Sequence, residues 1–161
     1  MAMAIERERT TERANSTLDL DSRLLDKCDL AFECAAGRAE EALGSADPGA
    51  DVGTRFEAAL TAVLESAAEQ PDLTRLCLVE APGLGANAVA RKEAGLQRFV
   101  ELVDRELART SDGKAPPLVS EMVIGGIYEV MQRTARAHKV AEMPELAGQL
   151  RSLWLPALRG R

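Results

Sequence analysis

Aromatic residues are scarce in this chain of 161 residues: Phe32, Phe56, Phe99, Tyr128 and Trp154 make up 3% of it. Single-strand nucleic-acid binding needs more rings than that and a basic groove. The net charge is instead −6, which disfavours contact with phosphate backbones. The only histidine is His138 and no ExxH pair occurs, which argues against a di-iron bundle and leaves a metal centre short of ligands. Neither GxSxG nor a glycine-rich loop after a strand is present, so no nucleophilic triad or nucleotide cradle is expected. The three cysteines, Cys28, Cys34 and Cys77, are odd in number and lack CxxC spacing. They read as buried reduced thiols of a cytoplasmic protein, not as a disulfide framework. No run approaches the ~20 apolar residues of a membrane span. The charged start MAMAIERERTTER has no signal-peptide core. These absences predict a soluble cytoplasmic chain that is not an enzyme and has no cofactor, no metal and no membrane partner.

What is abundant is Ala, Leu, Glu and Arg, all strong helix formers. Breakers cluster at 44–53, 82–85 and 110–117, with Pro71, Pro144 and Pro156 between and beyond them. Residues 1–17 predict a flexible arm or short exposed helix, and 18–161 one all-α domain of about six helices. Leu24, Cys28, Ala31, Phe32, Ala35, Ala39 and Leu43 recur at helical intervals over 18–43. Thr54 and Glu57 fit a capping box at the start of the next helix, whose stripe is Phe56, Ala59, Leu60, Val63, Leu64 and Ala67. Pro71 suits the first turn of a short helix over 71–81, apolar nearly all round and therefore internal. A long helix over 86–109 presents Val89, Leu96, Phe99, Val100, Val103 and Leu107.

The helix predicted over 117–139 is apolar across about twice the arc of an ordinary surface helix. One side carries Val119, Val123, Gly126 and Val130, the other Ile124, Tyr128, Met131 and Ala135; Gln132 belongs to the polar remainder. Two apolar sides call for two partners, its own core and a second subunit. Gly125 and Gly126 cost about 1 kcal/mol each relative to alanine, which favours a close approach at Gly126. His138 reads as a favourable charge in the last turn. The helix over 144–158 aligns Leu146, Leu150, Leu153, Trp154 and Ala157. Glu80, near Leu76 and Cys77, and Glu121, bordering Ile124 and Tyr128, can be polar groups in an apolar pocket or solvated rim residues.

The run 71-PDLTRLCLVEAPGLGANAVARKEAGLQRFVELVDREL-107, with 121-EMVIGGIYEVMQR-133 and 143-MPELAGQLRSLWLPAL-158, resembles the C-terminal domain of TetR-family transcriptional regulators. With 54–70 the resemblance spans about two-thirds of the chain. It implies an all-α domain that binds a small, often hydrophobic effector in a cavity between the first five helices and forms a homodimer through the last two. The candidate ligand-binding residues, with Glu80, Glu121 and Tyr128 as the polar groups of an apolar pocket, are Phe32, Leu76, Glu80, Phe99, Glu121, Ile124 and Tyr128. The implied dimer seam is Val119, Val123, Gly126, Val130, Leu146, Leu150, Leu153 and Trp154. Residues 1–46 depart from that family's helix-turn-helix domain, so DNA would be reached only through a DNA-binding part not present in this chain. The alternative is a helical homodimeric interaction module without effector or DNA binding.

Overall fold

A computed structural model describes the backbone of residues 2–110 and 118–158 and the side chains of residues 18–109 and 118–158. Six α-helices account for most of them: α1 (Ala2–Ser45), α2 (Val52–Glu69), α3 (Pro71–Arg75), α4 (Ala86–Thr110), α5 (Val119–Arg136) and α6 (Ala147–Leu158). No strand occurs among the described residues. Residues 2–17 are the opening turns of α1, and the breaker cluster predicted at 110–117 lies, from 111 onward, outside the described residues.

α1 persists for 44 residues, about 66 Å of helix, because its helix formers, broken only by the tolerated Gly37, run on to Gly44 and the Asp-Pro-Gly turn beyond it. α2 begins two residues before the predicted capping box. Asp51 is its N-cap, accepting from the Gly53 N–H at 2.9 Å, and Thr54 Oγ1 donates to the same carboxylate at 2.8 Å. Aspartate outranks threonine as a cap, which leaves Glu57 to pair with Arg151 of α6 at 3.1 Å. Beyond α3 the chain loosens into a π-helical turn (Leu76–Glu80) and a 3-10 turn (Ala81–Leu84). In α4 the inward stripe starts at Ala88, and Val89 is exposed.

α1 and α4 run side by side with a seven-residue repeat of ion pairs. Arg91 binds Asp26 and Asp29, Arg98 binds Glu33, and Arg105 binds Glu40. Gly95 of α4 makes room for the Phe32 ring of α1. The main core gathers Leu60 and Leu64 of α2, Leu78, Leu107 of α4, Val119, Val123 and Ile127 of α5, and Val140, Met143, Leu150 and Leu158 from the C-terminal segment.

This packing changes the account of α5. Val123 is 0% exposed and Val119 and Leu150 are buried within the same protomer. Trp154 of α6 lies directly over Gly126, and Val130, Leu146 and Trp154 pack half-buried against the core. Of the eight residues placed at a dimer seam, only Leu153 is largely exposed, at 65%. Both apolar sides of α5 are therefore used inside one chain, and its composition does not require a second subunit. Gln132, assigned to the polar face, is buried and donates through Nε2 to the Leu78 carbonyl at 2.8 Å.

The cysteines differ from expectation as well. Cys28 of α1 and Cys77 of the π-helical turn form a disulfide, with Cα atoms 5.3 Å apart, and Cys34 is exposed. A bond 49 residues apart in sequence has no spacing signature. It depends on how α1 lies against the segment after α3.

α5 ends before the predicted boundary, and His138 lies beyond its last turn with φ +59°. The His138 N–H bonds to the Ala135 carbonyl and the Lys139 N–H to the Thr134 carbonyl, both at 3.1 Å. This is a Schellman closure with histidine in the position that glycine usually takes. A left-handed residue with a Cβ costs on the order of 1 kcal/mol. His138→Gly should therefore raise the unfolding free energy by about that amount in a urea titration; unchanged or lower stability would show that the imidazole contributes more than the backbone loses.

Candidate functional site

α1 to α5 surround an apolar cavity of about 550 Å3, the size range of small-molecule sites. Each helix contributes the face that its periodicity predicts. α1 supplies Phe32, Ala35, Ala39 and Leu43; α2 supplies Phe56, Ala59, Leu60 and Val63; α4 supplies Leu96, Phe99 and Val103; and α5 supplies Ile124, Tyr128 and Met131. Leu73 and Thr74 of α3 and Cys77 complete one end, and Leu158 of α6 reaches the other. The mouth opens beside α1, where the lining residues Lys27, Leu30 and Cys34 follow one another along an exposed face, opposite Gln70 at the end of α2. Leu30 is 59% exposed, a large apolar side chain at an opening. The Arg38 guanidinium clamps Glu69 next to it through two bonds of 2.7 and 2.6 Å. That hydrogen-bonded pairing holds the Glu69 carboxyl below its ordinary pKa.

Four of the seven predicted ligand-binding residues, Phe32, Phe99, Ile124 and Tyr128, lie in the cavity wall; Leu76, Glu80 and Glu121 do not. Glu80 is exposed and bound to Arg75 at 2.6 Å, and Glu121 is exposed on the first turn of α5. Each carboxylate keeps its hydration at the rim, which is less costly than entering an apolar interior. Leu76 turns away because the π-helical turn rotates the chain and directs Cys77 and Leu78 inward instead.

Polar groups gather at Tyr128 in this wall. The Tyr128 hydroxyl is buried without a hydrogen-bond partner, and burial pushes the phenol pKa above its ordinary value, so it stays a neutral donor. The Lys92 ammonium lies 5.6 Å from the centre of the same ring, within cation–π range. At the opposite end the wall includes Glu106, which the 2%-exposed Arg55 binds through Nε at 2.6 Å. Arg55 also donates to the carbonyls of Leu43 at 2.9 Å and Asp47 at 3.4 Å. One guanidinium thus joins the end of α1, the following turn, α2 and α4.

The sequence reading missed this pair and the mouth residues. A lone arginine on the apolar face of α2 was the available signal for the first. A second recess, of about 560 Å3, runs along the α1–α4 groove, floored by Ala36, Gly37 and Leu102 and crossed by the Glu33–Arg98 and Glu40–Arg105 pairs. Among the described residues no group of His, Cys, Asp or Glu is placed to hold a metal ion, and no helix is long and apolar enough to cross a membrane. Comparison with family models, with curated proteins and with solved structures finds no match.

Removing the buried partner of an ion pair costs about 3 kcal/mol, an upper bound here because Arg109 also reaches Glu106, at 3.4 Å. Arg55→Met should lower the unfolding free energy by that order, and adding Glu106→Leu should restore most of it. A double variant no more stable than Arg55→Met in urea titration would show that the bonds to the Leu43 and Asp47 carbonyls, not the pair, carry the effect.

Proposed function

We propose that the chain is the effector-binding and dimerisation domain of a TetR-like regulator and senses a small, hydrophobic molecule. The observation that carries this reading is the apolar cavity between α1 and α5 with its mouth beside Leu30. The motifs over 71–107, 121–133 and 143–158 supply the regulator part, and DNA is then reached through a DNA-binding part outside this chain. Ligand shifts such a regulator only by its differential affinity for two helix arrangements.

The homodimer rests on different residues from those first implied. Leu118, Met122 and Leu153 are large, apolar and exposed on the outer side of α5 and α6. Gly125 and Gly148, with open space above them, sit on the same helices. This support is weaker than the cavity, since α5 already satisfies both of its apolar sides within one protomer.

Nile red, a neutral dye that fluoresces in apolar surroundings, tests the cavity. It should bind the whole chain and at one hundred times its Kd add about 2.7 kcal/mol of stability, read as a higher Tm. Ala59→Trp and Val63→Phe fill the cavity and should abolish both signals in a protein that still melts cooperatively. Dye binding that survives both variants would refute the site. Light scattering tests the dimer: Met122→Glu with Leu153→Glu should yield monomers, and a wild-type monomer would end the dimer proposal while leaving the cavity untouched.

A further inference from the structure

The lining of the cavity is sorted by polarity along its length. Four cross-links fix the level of one end. Cys28 is bonded to Cys77, Arg91 grips Asp26 and Asp29, and Lys92 lies over the Tyr128 ring. The turn of α1 that carries Lys27 therefore stands level with the π-helical turn, the start of α4 and Tyr128. The other end is fixed by Arg55, which ties Leu43 of α1 to Glu106 of α4. From residue 27 to residue 43 is about 24 Å of helix, and from 92 to 106 about 21 Å, so the two helices agree on an elongated space.

At the first end the wall contains Lys27, Gln70, Thr74 and Tyr128. At the second it contains Leu43, Val52, Leu107 and Leu158, with the Glu106 charge taken up by Arg55. Charge compensation is equally uneven. Arg91 and Arg75 at the first end are each matched by a carboxylate, and the Lys92 ammonium, outside the wall, faces the Tyr128 ring. Lys27 is the one cation of the cavity wall, and among the described residues no carboxylate pairs with it. Its apolar stem can line the wall while its ammonium stays at the mouth. A space with one unmatched cation and one unpartnered phenol at its open end, and hydrocarbon walls beyond, is complementary to one kind of molecule.

We propose that the ligand is a single-chain amphiphile with an anionic oxygen head, a carboxylate or a phosphate monoester, held at Lys27. The Tyr128 hydroxyl donates to the same end of the molecule, and the tail runs toward Leu158. This inference rests on the cavity being a ligand site, as proposed above, and adds the class and the orientation of the ligand. No bond is made or broken in binding.

Calorimetric titration of the whole chain tests it with matched probes below their micelle-forming concentrations: dodecanoate, dodecyl phosphate, dodecanol and dodecyltrimethylammonium. The two anions should bind about tenfold tighter than the alcohol, the advantage of a hydrogen bond to a charged group, and the cation should bind weakest. Lys27→Gln should erase the difference between anion and alcohol without changing the affinity for the alcohol, and Lys27→Arg should retain it. Lys27 is exposed, so neither substitution threatens folding. Tyr128→Phe should weaken every probe that carries an oxygen head. Ala39→Leu, toward the far end, should weaken hexadecanoate more than decanoate. The acid and phosphate arms separate the two head chemistries; either or both binding supports the proposal. Equal binding of acid and alcohol, or an anion preference that survives Lys27→Gln, overturns the head assignment while Nile red binding still stands. If neither the amphiphiles nor Nile red binds, the cavity reading itself fails and this proposal fails with it.

Discussion

A bundle that keeps an open interior needs its helices held by something other than the packing of their apolar faces, and here the buried Arg55–Glu106 pair does this at one end. Arg55 is 2% exposed and spans α1, the turn after it, α2 and α4. Packing alone draws helices together until facing side chains interlock. A planar guanidinium that must satisfy two backbone carbonyls and a carboxylate fixes their separation instead. At the other end the Cys28–Cys77 bond sets the distance from α1 to the segment after α3. Between the two, the Asp26, Glu33 and Glu40 positions of α1 meet Arg91, Arg98 and Arg105 of α4 on the outer surface. Exposed pairs contribute little stability individually. Their common seven-residue spacing resists small slips of α1 against α4, and the links at Cys28–Cys77 and Arg55 exclude a slip by a whole repeat; register decides which residues face the cavity.

The helical class, the six helices and most of their apolar faces were legible in the sequence, because a 3.6-residue period records which side of a helix is buried. Phe32, Phe99, Ile124 and Tyr128 lie on such faces and stand in the cavity wall. What the period does not record is the partner that buries a face. Val119 and Val123 were apolar for their own core, and the cavity and Trp154 took the remaining arc of α5. Glu80 and Glu121 sit beside apolar residues in sequence, yet a turn of the backbone keeps both carboxylates in water. The Cys28–Cys77 link and the Arg55–Glu106 pair join residues 49 and 51 positions apart. No local pattern encodes such pairings. The α1–α4 repeat was open to view as acids and arginines at equal spacing, but each half reads alone as an ordinary solvated face.

The π-helical turn between α3 and α4 ties several of these features together. A wider turn carries an extra residue per helical turn and frees backbone groups that a regular helix would pair internally. Its Leu78 carbonyl is taken by Gln132 of α5, and its Cys77 by Cys28 of α1. The same turn forms part of the cavity wall through Cys77 and Leu78. A regular α-helix over 71–81 would direct a different set of side chains inward. The irregularity is thus what brings α1, α5 and the wall into one arrangement.

Stability sets a further condition on the interior. Apolar voids left by truncated side chains cost about 24 cal/mol per Å3. At that rate a sealed space the size of this cavity would cost on the order of 10 kcal/mol, comparable with the whole folding free energy of a domain. Such a space is compatible with a folded chain where it opens to solvent or takes a guest. The first condition is met beside α1, where the lining residues Lys27, Leu30 and Gln70 are exposed and two of them are polar. Water admitted there meets groups it can hydrate; deeper, against Leu43, Val52 and Leu158, the wall is hydrocarbon apart from the Arg55-bound Glu106 carboxylate. The free energy of filling the far end with hydrocarbon is therefore set by the same wall that the helical period of α1, α2 and α4 dictates, and the polar mouth decides only which end of a guest remains outside.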